Sequence, residues 1–76
     1  MELSGLTGKQ ISLKLKSQEK AMNCTVKYVV QSQQGIWVTG SPILEHVVKT
    51  GGGAPPMRQP MIFVFFESIE WLVADF

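Results

Sequence analysis

Apolar and polar residues alternate with a period of two along much of this chain, the spacing of strands that bury one face. From Gln10, the residues Ile11, Leu13 and Leu15 alternate with Ser12, Lys14 and Lys16. Ser17 to Lys20 is polar and reads as a turn. Met22 to Gln31 is the second predicted strand, with Met22, Cys24, Val26, Tyr28 and Val30 on one face and Asn23, Thr25, Lys27, Val29 and Gln31 on the other. Its β-branched and aromatic residues suit a pleated surface, and it is long enough to bend and serve two sides of a barrel. Ser32 to Gly35 is a polar turn ending in glycine, a hairpin signal. Ile36 to Thr39 forms the third strand, stopped by Gly40-Ser41-Pro42.

The pattern loosens after that. Pro42 to Lys49 carries Ile43, Leu44 and Val47 at helical spacing, with Ser41 placed to cap and proline suited to a first helical position. One helical turn and an extended segment fit it equally. Thr50 to Pro60 holds three glycines and three prolines, so residues 50–60 are expected to form a flexible loop. Met61 to Phe66 then runs apolar on both faces: Met61, Phe63 and Phe65 on one, Ile62, Val64 and Phe66 on the other. Glu67-Ser68 turns the chain. Ile69, Trp71 and Val73 alternate with Glu70, Leu72 and Ala74 in a fifth strand. At the other end, Leu3 and Leu6 fall on one side of a single helical turn, so residues 1–8 are expected to form a turn or a short helix that plugs one end of the fold.

A solvated antiparallel strand needs only one apolar face. The second face of Met61 to Phe66 therefore requires a cover, and one 76-residue barrel has only one inside. The expected cover is another copy of the chain, with Ile62, Val64, Phe66, Trp71 and Leu72 at the interface. Length points the same way. A chain this short buries only roughly 60% of its unfolded surface, and small domains often add disulfides, a metal or oligomerisation. Cys24 is the lone cysteine and His46 the lone histidine, so an intrachain disulfide and a Cys/His zinc site are excluded. No metal and no cofactor are expected.

A hydrophobic fraction of 45% predicts one folded domain over residues 1–76. The net charge of +1 suggests no polyanion partner by itself. The charges are unevenly placed: Lys9, Lys14, Lys16, Lys20 and Lys27 dominate the first part, while Glu45, Glu67, Glu70 and Asp75 fall later. Such a split supports head-to-tail contacts. Lysines interleaved with aromatics also suggest a nucleic-acid face made of Lys14, Lys16, Lys27 and Trp37. No signal-peptide pattern and no span-length apolar run is visible. With the unpaired cysteine, this predicts a soluble, cytoplasmic protein with no membrane association.

Five short strands with one tight final corner describe an all-β, strongly bent, antiparallel SH3-like barrel. Leu6-Thr7-Gly8-Lys9-Gln10-Ile11-Ser12-Leu13-Lys14-Leu15 resembles the L-x-G-K-x-V-x-V-x-L opening strand of Sm/LSm-like proteins. Ile62-Phe63-Val64-Phe65-Phe66-Glu67-Ser68-Ile69-Glu70-Trp71-Leu72 is similar to their final strand pair. The resemblance covers about two-thirds of the chain. It implies an Sm-like barrel and ring assembly through pairing of the last two strands between neighbours. The family's RNA pocket does not carry over. Phe65-Phe66-Glu67 stands near its Arg-Gly or Lys-Gly pair, and Ser32-Gln33-Gln34-Gly35 stands where its Asp/Asn-bearing loop falls.

Catalytic constellations are missing. His46 and Glu45 are adjacent and point apart, and no residue is placed to orient the imidazole. Cys24 lies on a predicted buried face without a base. Glu67 and Glu70 flank a corner and have no substrate cleft. Gly51-Gly52-Gly53 is followed by alanine and two prolines instead of the Gly-Lys-Ser/Thr of a phosphate loop. Arg58, the only arginine, cannot form the two-arginine arm of the cyclic-dinucleotide-binding PilZ barrels. The expectation is a non-enzymatic, oligomer-forming interaction or scaffold module. The alternative is an Sm-like RNA or single-stranded nucleic-acid binder that uses its lysine-bearing face.

Overall fold

The computed structural model describes residues 4–51, 53 and 58–74. Five strands form one antiparallel sheet: β1 (Gln10–Leu15), β2 (Met22–Val30), β3 (Gly35–Thr39), β4 (Ile62–Phe65) and β5 (Ile69–Ala74). They lie in the order β4-β3-β2-β1-β5. One helix, α1 (Ser41–Gly51), links β3 to the segment before β4. The chain is thus all-β apart from α1 and three short 3₁₀ turns.

The alternation in β1 is realised as read. Ile11, Leu13 and Leu15 are buried, while Ser12 and Lys14 face outward. Leu13 is fully buried and lies between Met22 of β2 and Leu72 of β5. Ile36 and Val38 of β3 turn inward, and their partners Val64 and Ile62 in β4 lie over the same core. Leu6, in a 3₁₀ turn at Ser4–Leu6, covers part of the core as the N-terminal plug was expected to do. Gly8 donates to the Val26 carbonyl at 2.7 Å, which ties this plug to β2.

Two bulges correct the predicted faces. The β2–β3 ladder shifts between Val26 and Tyr28, so Lys27 is an extra residue and Tyr28 lies opposite Trp37. Tyr28 therefore points to solvent, and Val29 packs on the core in its place. In β5 the ladder passes from Leu15–Ile69 to Lys14–Trp71, leaving Glu70 as the extra residue. Ile69, Leu72 and Ala74 consequently share the inner side, with Trp71 and Val73 outside. A bulge sets two residues against one and inverts the parity beyond it, which strict alternation does not anticipate.

The ambiguous stretch is neither extended nor a single turn but an eleven-residue helix. Ile43 enters the core at 1% exposure and fixes the inward side of α1. Gly40, at φ 157°, lets the helix start against β2: a Cβ there would lie 3.0 Å from the Asn23 carbonyl oxygen. Thr50 Oγ1 donates to the His46 carbonyl at 2.9 Å, and the Gly53 N–H closes the helix end on the Val48 carbonyl at 3.1 Å. Thr50 and Gly51 thus belong to α1 and not to the expected 50–60 loop. Of the rest of that loop, residues 52 and 54–57 lie outside the described residues.

The barrel is not closed by hydrogen bonds. β4 and β5 are the two outer strands of the sheet, and no pairing joins them. The 3₁₀ corner Phe66–Ser68 joins them in the chain. Phe66 donates to the Gln34 carbonyl at 2.8 Å and Lys16 donates to the Ser68 carbonyl at 2.9 Å, pinning this corner to both limbs of the sheet. With β4 paired to β3 and β5 paired to β1, the corner redirects the chain between the two limbs and does not form a hairpin. The sheet therefore curls toward a barrel and stays open along β4 and β5.

Candidate functional site

The core is aliphatic and the outside is aromatic. Among the described residues the buried apolar side chains are Leu, Ile, Val, Met and Cys, with no aromatic residue among them. Tyr28 is 59% exposed and Phe65 52%. Trp37 and Phe63 are half-buried and stand on the same outer side, between inward-facing neighbours. Large rings normally dominate a core; here only Phe66 packs against it, from the edge.

These rings form a row across three strands. Tyr28 of β2 pairs with Trp37 of β3, and Trp37 pairs with Phe63 of β4. The Trp37 and Phe63 centroids are 5.1 Å apart at 60°, and those of Phe63 and Phe65 are 4.9 Å apart at 86°. Both are edge-to-face contacts, the favoured arrangement for aromatic quadrupoles. Gly35 makes room for the row. A Cβ at Gly35 would run into the Phe63 ring and come within 2.8 Å of the Val64 carbonyl oxygen. Neither the stretch between Glu19 and Glu45 nor that between Glu45 and Glu67 contains an acidic residue, so β2, β3 and β4 carry no carboxylate.

The five residues expected at an interface divide differently. Val64 is 5% exposed and belongs to the chain's own core, with Ile62, Phe66 and Leu72 packed against it. Trp71 alone of the five is an exposed large side chain. The parity is set by β3: Ile36 and Val38 are inward, so their partners Val64 and Ile62 must be inward too. The face left over on β4 is therefore Phe63 and Phe65, with the exposed Met61 before them. Both faces of this strand are apolar, and the one expected against a partner is the one the chain's own core covers.

The suggested nucleic-acid residues do not converge. Lys14 lies opposite Trp71 and forms an ion pair with Glu70. Lys16 follows β1 at the corner. Lys27 sits in the β2 bulge beyond Thr25, at the far end of the β1–β2 ladder. With a rise of roughly 3.3 Å per residue, Lys14 and Lys27 are separated by about 20 Å along the strands. Trp37 belongs with the aromatic row and not with Lys14 or Lys16.

Three concavities accompany these faces. The largest, about 570 Å³, is an open cleft where α1 starts, lined by exposed or half-buried polar groups such as Asn23, Thr25, Thr39 and Ser41. A groove of about 180 Å³ follows β4 and is walled by Ile43, His46 and Val47 of α1. That is below the ~300 Å³ lower bound of small-molecule sites. A third, about 370 Å³, lies at the corner beside Lys16 and Glu67. Cys24 touches the first cleft, and burial pushes its thiol up to about 11, away from the thiolate a nucleophile needs.

No family model, curated protein or solved structure matches the chain. The described residues form a small, open, five-stranded antiparallel domain with an aliphatic interior and an aromatic exterior. Among the described residues no helix is long and apolar enough to cross a membrane.

Proposed function

We propose that this protein is a non-enzymatic, self-associating interaction module of the SH3-like/Sm-like kind, assembling through its two outer strands. The observation that carries the reading is the pair of sheet edges, β4 and β5, which lie at opposite ends of the strand order and have no outer partner among the described residues. Each presents a row of unsatisfied backbone donors and acceptors, a template for another strand. Each also carries exposed apolar side chains: Phe65 on β4, Trp71 and Val73 on β5. Joining β4 of one copy to β5 of the next would satisfy both edges and cover those side chains together. The contact is head-to-tail and closes into a ring if its rotation allows.

The nucleic-acid alternative has less support, because its lysines are spread along the sheet and Lys14 already faces Glu70. The test is light scattering of the wild type and of Val73→Lys over a range of concentrations. Val73 is 61% exposed, so the substitution leaves folding intact. An assembled wild type that falls apart on Val73→Lys supports the reading. A wild type that is monomeric at high micromolar concentration, or a Val73→Lys variant of unchanged mass, defeats it. Binding of a single-stranded oligonucleotide that weakens steeply with salt would favour the alternative.

A further inference from the structure

We infer that the aromatic outer face of β2, β3 and β4 is a second self-association surface, on which two copies pair face to face about a two-fold axis. This goes beyond the edge-to-edge reading and does not rest on it: Tyr28 and Trp37 lie on inner strands of the sheet, and only the Phe63 and Phe65 end of the row belongs to the edge strand β4. The row Tyr28–Trp37–Phe63–Phe65 lies on the outer face of the sheet, and its Phe63 and Phe65 end borders the small groove along β4. That groove is too small for a small-molecule ligand, so an occupant that covers the whole row is a broad apolar surface. Monomeric proteins rarely leave such rings in one contiguous patch, and aromatic residues are the ones that dominate interface energetics.

Charge selects among occupants. β2, β3 and β4 contain no acid, and Lys27 at the bulge is their only charged residue. A nucleic acid needs a track of cations along its backbone, and one rim lysine does not provide it. A cationic partner finds no carboxylate. An identical neutral face meets the requirement without burying a charge, since Lys27 stays at the rim of each copy. A two-fold contact needs the same patch on both partners, and this patch supplies it.

Area sets the strength. A fully covered aromatic side chain buries about 150–250 Å². With Phe65 left to the edge contact and the other three rings scaled by their exposure, two copies would cover roughly 400 Å² of aromatic surface, and less than about 1,000 Å² with the rim. Standard stable interfaces start near 1,200 Å². The pairing is thus weak, of the micromolar, concentration-dependent kind, and it doubles whatever unit the strand edges build.

Sedimentation equilibrium from about 5 to 500 μM tests this on the full chain, with wild type, Tyr28→Lys, Tyr28→Phe and Val73→Lys compared, and far-UV circular dichroism confirming each fold. Tyr28→Lys places two new like charges near each other beside Lys27 and is expected to weaken the face-to-face step at least tenfold. Tyr28→Phe should keep it. Val73→Lys should abolish edge assembly and leave a dimer that Tyr28→Lys dissociates. A Tyr28→Lys variant that associates like the wild type overturns the inference, as does a Val73→Lys variant that is monomeric at 500 μM. If Val73→Lys changes nothing while Tyr28→Lys gives monomers, the edge reading fails and the face-to-face pairing stands.

Discussion

Replacing Leu13 by alanine probes the centre of the fold. Leu13 has no exposed surface and sits on β1, held on both sides by Met22 and Leu72. Central pairing leaves the backbone little freedom to collapse into the space, so the loss should fall in the middle or upper part of the usual 2–5 kcal/mol for Leu→Ala, about 3–4 kcal/mol. A chain of 76 residues has about 4–11 kcal/mol in total. With a urea slope of roughly 1 kcal/mol/M for so small a domain, the midpoint should drop by about 3 M. Lys14→Ala is the paired control. Its ion pair with the half-exposed Glu70 contributes at most about 1 kcal/mol, so its midpoint should move by less than about 1 M. Urea titration followed by far-UV circular dichroism, at one fixed protein concentration because association adds stability, measures both. Equal midpoint shifts for the two variants would refute the assignment of Leu13 to the inside and Lys14 to the outside.

Val64→Lys should unfold the chain or cost several kcal/mol in thermal denaturation, because Val64 is a core residue; a folded variant that merely fails to associate would restore Val64 to an interface. Val29→Ser should lower the urea midpoint more than Tyr28→Ser, since the bulge at Lys27 turns Val29 inward and Tyr28 outward; the reverse order would remove the bulge. Gly35→Ala should destabilise by about 1–3 kcal/mol through overpacking and alter the near-UV signal of Trp37 and Phe63, whose ring occupies the space of the missing Cβ. For Cys24, burial raises the thiol to about 11 from 9.0. Between those values the unfolded chain loses the thiol proton and the folded chain keeps it, so stability falls as pH rises through that window and levels off above it. Urea midpoints at pH 8 to 11 should show a steeper decline for wild type than for Cys24→Ala, and parallel curves would argue against burial of the thiol.

Period two in Ile11, Leu13 and Leu15, and the apolar run from Met61 to Phe66, determined where strands form and how many there are. Side chains must go to opposite sides of a pleat, and those residues have one arrangement that buries them. The polar Ser17–Lys20 stretch likewise marked its turn, Ser32–Gly35 marked one that falls a residue earlier over Gln31–Gln34 with Gly35 already in β3, and the lone Cys24 and His46 excluded a disulfide and a zinc site within the chain. The length of α1 was not legible, because Ile43, Leu44 and Val47 fit a helix or an extended path until Ile43 has a core to enter. Nor were the bulges at Lys27 and Glu70, which depend on where a neighbouring strand places its partners and not on local spacing. Those registers decided which face of each strand is outside. They put Val64 in the interior, Phe65 in solvent, and Tyr28, Trp37 and Phe63 in one row. A run that is apolar on both faces carries no internal mark of which face is covered by its own chain. Only pairing with Ile36 and Val38, which are themselves fully buried, made that choice.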